Sequence, residues 1–123
     1  MVIELRHNED LDQLLERSGT DPVLIFKHST QCSISIDVYE EFLRFTEAAP
    51  DAACGVVLVI ENRALSDNIA AKLGVRHESP QAIVVQNGRQ TWHAAHWSVT
   101  ADALVKAMTT PALRATPPSK GGD

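Results

Sequence analysis

Cys32 and Cys54 are the only thiols in this 123-residue chain, and the surroundings of the first suit sulfur chemistry. Cys32 follows the apolar run Val23-Leu24-Ile25-Phe26 and stands at the head of a helical pattern that begins at Ser33. Unpaired N–H groups and the helix dipole favour negative charge at such a position, so the Cys32 thiol is expected to ionise more easily than a free one. The thiolate is the form that attacks a disulfide. Free cysteine is often just a small buried hydrophobe, but the polar neighbours Ser29, Thr30, Gln31 and Ser33 argue against burial here. Ser35 comes three residues later, where the first helical turn brings it to the face of Cys32, giving a Cys-x-x-Ser pattern. A second thiol there could close an internal disulfide, whereas a hydroxyl can only donate a hydrogen bond to the thiolate. Turnover then needs a thiol from outside. Cys54 is not expected to supply it, because the helix between the two cysteines carries the chain roughly 20 Å toward the opposite end of the sheet. A disulfide needs Cα atoms within about 7 Å, so Cys54 is assigned a structural place.

The elements that hold these residues follow from periodicity. Asn8 is a capping residue for a helix Asn8 to Arg17, with Glu9 and Asp10 at its positive end, Leu11, Leu14 and Leu15 on one face, and Gly19 after it. Asp21 and Pro22 turn the chain into Val23 to Phe26, a strand suited to cover on both faces that ends at Lys27 and His28. Ile34, Val38, Phe42 and Phe45 predict a second helix from Ser33 to about Glu47, stopped by Pro50. Gly55 opens the buried strand Val56 to Ile60, and strand, helix, strand at this length implies a parallel pair. Leu65, Ile69 and Leu73 mark a third helix ended by Gly74. Ala82 to Gln86 and Arg89 to His93 flank Asn87-Gly88, a dipeptide that suits a type I′ hairpin. Thr100 can cap a last helix carrying Leu104, Val105 and Met108. Pro111, Pro117, Pro118, Gly121 and Gly122 then mark an aperiodic segment. The expectation is one domain over residues 1–110 with a flexible tail over 111–123.

This order gives an α/β fold with a mixed sheet of about four strands between helices, to which Met1 to Leu5 adds a candidate edge strand. It is similar to the thioredoxin-like layout, in which a parallel unit precedes a hairpin. In such a layout Ser79-Pro80 occupies the cis-proline loop beside the nucleophile, where the Ser79 backbone would pair with an incoming peptide or thiol. Taken alone, an X-Pro bond is far more often trans. Lys27 and His28 stand just before Cys32, where a cation could help an anionic thiol bind or simply end an exposed strand. His93 and His96 are three apart, which on a strand puts them on opposite sides, so they are assigned polar or capping roles and no metal is expected. Trp92 and Trp97 are assigned to packing.

Composition narrows the partners. With 44% hydrophobic and 22% charged residues the chain is an ordinary folding sequence. A net charge of −5 without a cluster of Lys or Arg disfavours nucleic acid and anionic membranes as partners. No stretch approaches the ~20 apolar residues of a membrane span, Met1 to Asp10 carries no apolar signal core, and cysteines are few, so a cytoplasmic location is expected.

Three blocks together resemble the YtxJ family of monothiol bacilliredoxins. They are Phe26-Lys27-His28-Ser29-Thr30-Gln31-Cys32-Ser33-Ile34-Ser35, His77-Glu78-Ser79-Pro80-Gln81, and Asn87-Gly88 with Trp92-His93-Ala94-Ala95-His96-Trp97. The likeness runs from about Asn8 to Met108. It implies a thioredoxin-like fold and an enzyme that frees protein cysteines from mixed disulfides with bacillithiol or a similar low-molecular-weight thiol. Cys32 matches the family's active cysteine and Ser35 the serine of its T-C-P-I-S motif, while Gln31 replaces threonine and Ser33 replaces proline. Losing that proline removes a rigid first helical residue. Lys27, His28, Ser33, Ser79 and Pro80 are the expected substrate contacts, S-thiolated proteins and a small thiol the expected partners, and a monomer or weak dimer the expected state, with no bound cofactor. The alternative is a non-catalytic thioredoxin-like module that binds or senses redox state.

Overall fold

A computed structural model describes residues 1–109. The tail expected over 111–123 lies outside the described residues. The elements are β1 (Val2–Glu4), α1 (Asn8–Arg17), β2 (Val23–His28), α2 (Ser33–Ala48), β3 (Ala53–Leu58), α3 (Arg63–Leu73), β4 (Gln81–Gln86), β5 (Arg89–Ala95), a short 3-10 turn (His96–Ser98) and α4 (Ala101–Thr109).

The sheet has five strands rather than about four, in the order β1-β3-β2-β4-β5. β1 is the edge strand that Met1 to Leu5 suggested, paired in parallel with β3 from Val2↔Cys54 to Glu4↔Val56. β2 and β3 are parallel, whereas β4 runs antiparallel to β2 and β5 antiparallel to β4. β2 is therefore central, and all six of its residues are buried. That explains a run of apolar residues without alternation. β3 starts two residues earlier than Gly55 and ends before Val59, because pairing with both neighbours already begins at Ala53 and Cys54. Ile60, the last residue of the expected strand, is 56% exposed beyond the pairing.

Strand alternation divides the core in two. Ile25, Val57 and Ile83 face α1 and α3, meeting Leu11, Leu14, Leu65 and Ile69. Leu24, Phe26, Val56 and Val84 face α2 and α4, meeting Val38, Phe42, Phe45 and Leu104. Phe26 stacks on Phe42 with ring centroids 4.8 Å apart and 8° between planes, which pins α2 to β2 by about 1 kcal/mol beyond area burial.

Local chemistry sets the element ends. The N-cap of α1 is His7 rather than Asn8, and the Asp10 carboxylate accepts the Arg6 and His7 N–H groups at 2.9 and 3.0 Å. These bonds hold the Asp10 carboxyl below its ordinary range. Asn87 and Gly88 have φ of 55° and 76°, as a type I′ turn requires. Thr100 Oγ1 accepts from Ala103 N–H at 3.1 Å at the head of α4.

Candidate functional site

The C-terminal end of β2 delivers the chain to Cys32 through one tight loop. Ser29, itself buried, accepts the Gln31 N–H on its hydroxyl at 3.2 Å and the Cys32 N–H on its carbonyl at 3.4 Å. Cys32 is the N-cap of α2, in extended conformation with φ −114° and ψ 123°. Its carbonyl accepts the Ile36 N–H at 3.1 Å, the first hydrogen bond of the helix. The amides of Ser33, Ile34 and Ser35 precede that bond, so the head of α2 presents unpaired N–H groups next to the sulfur. The cysteine is half-buried, and Ser33 beside it is exposed.

Ser35 lies inside, with no exposed surface. Its hydroxyl oxygen accepts the Ser29 N–H at 2.9 Å and sits 2.8 Å from His28 Nδ1. No hydrogen bond joins it to Cys32 among the described residues, which corrects the expectation of a hydroxyl donated to the thiolate. Ser35 instead ties the loop before Cys32 to the end of β2. His28, also expected as a substrate contact, is buried, and its ring stacks on Tyr39 at 4.5 Å with 17° between planes. Desolvation pushes the His28 imidazole below its ordinary value of 6.5, against a weaker pull from the Glu61 carboxylate.

Lys27 departs furthest from expectation. Adjacent strand residues face opposite sides, so its side chain enters the α1–α3 layer while His28 enters the α2 layer. It has no exposed surface, and its Nζ donates to the Ser66 carbonyl at 3.1 Å and lies 3.1 Å from His77 Nδ1. Burial lowers the Lys27 ammonium from 10.5 to about 8. A sealed cation cannot contact a substrate at the surface.

Ser79 and Pro80 reach the same end of β2 from the other side. β4 pairs antiparallel with β2 at Lys27↔Gln81, so Pro80, one residue earlier, falls beside His28. The Ser79–Pro80 peptide is cis. Pro80 itself is buried, and its carbonyl accepts the His96 N–H at 3.0 Å. Ser79 is half-buried, and its enclosed hydroxyl has no partner among the described residues. His96 has a φ of 55° and its Nδ1 lies 3.7 Å from Glu78, while His93 is exposed on β5. Trp92 packs partly against the α2–α4 core, but Trp97 is 61% exposed and does not serve the packing role assigned to it. Trp97 lies in the short 3-10 turn that follows β5, beyond the sheet.

Cys54 is fully buried in β3, opposite Leu24 near the start of β2, whereas Cys32 follows the end of β2. Four residues of strand, about 13 Å, therefore separate Leu24 from His28 before the loop to Cys32 begins. Both cysteines are free, and burial pushes the Cys54 thiol up to about 11. The structure thus gathers Cys32, Ser33, Ser35, His28, Ser79 and Pro80 toward the C-terminal end of central β2 and leaves the Lys27 side chain and Cys54 out. Two contributors had no local signal. Tyr39 shares an α2 face with Ser35 at i, i+4, but its stack on His28 depends on the β2 end folding beneath it. His77 stands in an aperiodic connection, so its contact with Lys27, 50 residues away, had no sequence pattern to announce it.

Comparison with known proteins gives a consistent picture. The family model for monothiol bacilliredoxin BrxC matches residues 3–104. A solved structure described as a candidate oxidoreductase with a thioredoxin fold is 34% identical, with a TM-score of 0.78, over 86% of this chain and 92% of that one. A thioredoxin variant from Halobacterium salinarum is 23% identical, with a TM-score of 0.67, over 87% of each chain. Malassezia sympodialis thioredoxin is 16% identical, with a TM-score of 0.70, over 89% of each chain. The last two likenesses establish the thioredoxin fold.

Proposed function

The chain belongs to the monothiol bacilliredoxin family, and from that membership we propose that it removes a low-molecular-weight thiol from protein mixed disulfides through Cys32. Family and fold together make it a thiol oxidoreductase. The observation that carries the finer proposal is the placement of one half-buried cysteine at the head of α2, with a fully buried serine at the resolving position and the only other cysteine sealed elsewhere.

In the proposed cycle the Cys32 thiolate attacks the small-thiol sulfur of a protein–S–S–R disulfide. The Cys32–S–S–R bond forms as the protein–S bond breaks, and the protein cysteine leaves as a thiolate that takes a proton from water. A second small thiol, R–S⁻, then attacks the Cys32–S–S–R bond, releasing R–S–S–R and restoring the Cys32 thiolate. The amides at the head of α2 support an anionic sulfur, and the Ser79 backbone beside Pro80 supplies the polar edge against which the mixed disulfide would lie. Ser33 lines the approach, whereas Ser35 and His28 shape the loop from beneath. The proposed cycle runs in the cytoplasm, with bacillithiol or a similar thiol as co-substrate, S-thiolated proteins as partners, no bound cofactor, and a monomer or weak dimer as the working state.

Mass spectrometry of the wild type and Cys32→Ser after exposure to oxidised bacillithiol or glutathione tests this. One adduct on the wild type and none on the variant is expected, and equal adduct on both would refute the role of Cys32. Adduct formation without release of thiol from an S-thiolated peptide would instead mark a redox-sensing module.

A further inference from the structure

Beneath the segment that ends in Pro80 lies a group of buried polar side chains that the exchange cycle does not use. Lys27 Nζ donates to the Ser66 carbonyl at 3.1 Å and meets His77 Nδ1 at 3.1 Å, and Ser66 Oγ lies 3.3 Å from the same ring nitrogen. One strand over, Gln81 has no exposed surface and donates from Nε2 to the Arg76 carbonyl at 2.9 Å. The segment Arg76 to Pro80 is therefore fastened from below at two adjacent residues. His96 fastens it on the other side, through its N–H to the Pro80 carbonyl and its Nδ1 near Glu78.

An apolar side chain of similar length could fill the place of Lys27 without burying a charge. What lysine adds is a donor aimed at His77 Nδ1. An ammonium there requires that nitrogen to accept, which fixes His77 as neutral with its hydrogen on Nε2. Protonating His77 would set an N–H against an ammonium 3.1 Å away, two donors and two positive charges face to face. The other charged groups around His77 are Arg63 and Asp67 on α3 and Glu78 on its own segment. Burial, Lys27 and Arg63 outweigh Asp67 and Glu78, so the imidazole is held below its ordinary value of 6.5. Protonation of His96 acts with the opposite sign, since it strengthens the pairing with Glu78.

We propose that Lys27, acting through His77, is a positioning residue for the Arg76–Pro80 segment, and that protonation of His77 releases this segment from β2. The Ser79–Pro80 wall at the Cys32 edge is then held at neutral pH and loosened in acid. The consequence for activity rests on the exchange cycle proposed above; the fastening itself does not.

Proton-coupled NMR separates the two. The His77 ring and the Ser79 and Gln81 amides are followed between about pH 5 and pH 8 in the wild type, Lys27→Met and His77→Asn. In the wild type both amides should move with the midpoint of His77. Lys27→Met should raise that midpoint several-fold in proton affinity, because a neighbouring positive charge is gone. His77→Asn, which keeps a neutral acceptor near the position of Nδ1, should abolish the acid movement of the amides. In parallel, exchange of Cys32 with a glutathionylated peptide is divided by its alkylation rate with iodoacetamide at each pH. That ratio should fall in acid for the wild type, stay level for His77→Asn, and be low throughout for Lys27→Met. A His77 midpoint unmoved by Lys27→Met, or amides that ignore His77, would overturn the proposal. If Lys27→Met fails to fold, the His77→Asn amides decide the matter. If no variant exchanges with the peptide, the cycle is refuted while the NMR still judges the fastening.

Discussion

Ser35 has one hydroxyl hydrogen, and two neighbours, the Ser29 amide and His28 Nδ1, lie within hydrogen-bond distance of its oxygen. With His28 neutral and its hydrogen on Nε2, Ser35 accepts from the Ser29 N–H and donates to His28 Nδ1, which uses its only hydrogen and leaves none to donate to Cys32. The side chain thus fixes the loop in front of the nucleophile, and the absence of a thiol at this position keeps the sulfur chemistry intermolecular. Ser35→Cys puts that to the test, since residues three apart in a first helical turn lie within the Cα spacing a disulfide needs, about 4.4 to 6.8 Å. Treated with an oxidised small thiol, the variant is expected to lose two hydrogens as an internal disulfide, and the adduct seen on the wild type should not accumulate. A stable adduct on Ser35→Cys would show that the two positions cannot meet. Cys32 was legible in the sequence because its position between a buried strand and a helix is a local pattern. The partners of Ser35 were not, since spacing along the chain places it near Cys32 and only the folded end of β2 supplies His28 and the Ser29 amide.

At the scale of elements, the β2–α2–β3 unit was readable because continuous apolar runs and a helical period are strong signals. β1 was weaker, being three residues long with only Ile3 partly buried. The start of β3 was misplaced because Ala53, Cys54 and Gly55 carry little strand signal, yet Ala53 pairs with β2, and Cys54 and Gly55 pair with both β1 and β2. Gly55 shows why a residue without a side chain is needed there. A Cβ on it would lie 2.8 Å from Leu14 Cδ2 and 2.8 Å from Leu5 Cδ1, where α1 and the end of β1 close over the sheet. Gly55→Val should therefore push α1 away from β3 and lower stability by about 1 to 3 kcal/mol, or more if Leu5 cannot turn aside. Urea unfolding followed by circular dichroism measures the loss. The folded variant should keep the wild-type alkylation rate at Cys32, because Gly55 pairs with Ile25 in mid-strand and not with the β2 end that positions the thiol. Wild-type stability would show that the Leu5 and Leu14 side chains make room without cost.

Buried Lys27, His28 and Cys54 lie in both core layers with the half-buried His77 beside Lys27, and together they set how stability varies with pH. His28 and His77 have folded values below 6.5, so the unfolded chain binds more protons as pH falls past that point. Their contribution is complete above pH 6.5 and is lost as pH falls through the folded values. Lys27 follows the same sign in another window, since between about 8 and 10.5 the unfolded lysine is charged while the folded one is not. Stability should rise with pH there, and below pH 8 the buried ammonium costs roughly 3 kcal/mol. Cys54 opposes it, for its folded thiol stays protonated to about 11 while the unfolded one ionises from 9.0, so stability falls as pH rises across that interval. None of this could be read from composition, because Lys27 and the histidines look like surface residues until the sheet encloses them. The expected profile of urea midpoints falls from pH 7 to pH 5, rises between pH 8 and pH 9, levels where Lys27 and Cys54 cancel, and falls toward pH 11. Lys27→Met should raise the midpoint at pH 7 and remove the rise between pH 8 and pH 9, leaving only the decline from Cys54. If the proposed fastening holds, this variant is at once more stable and slower at exchange, which is the signature of a charge kept for positioning rather than for stability. A Lys27→Met protein less stable than the wild type at pH 7, with the alkaline rise intact, would show that the ammonium is not enclosed.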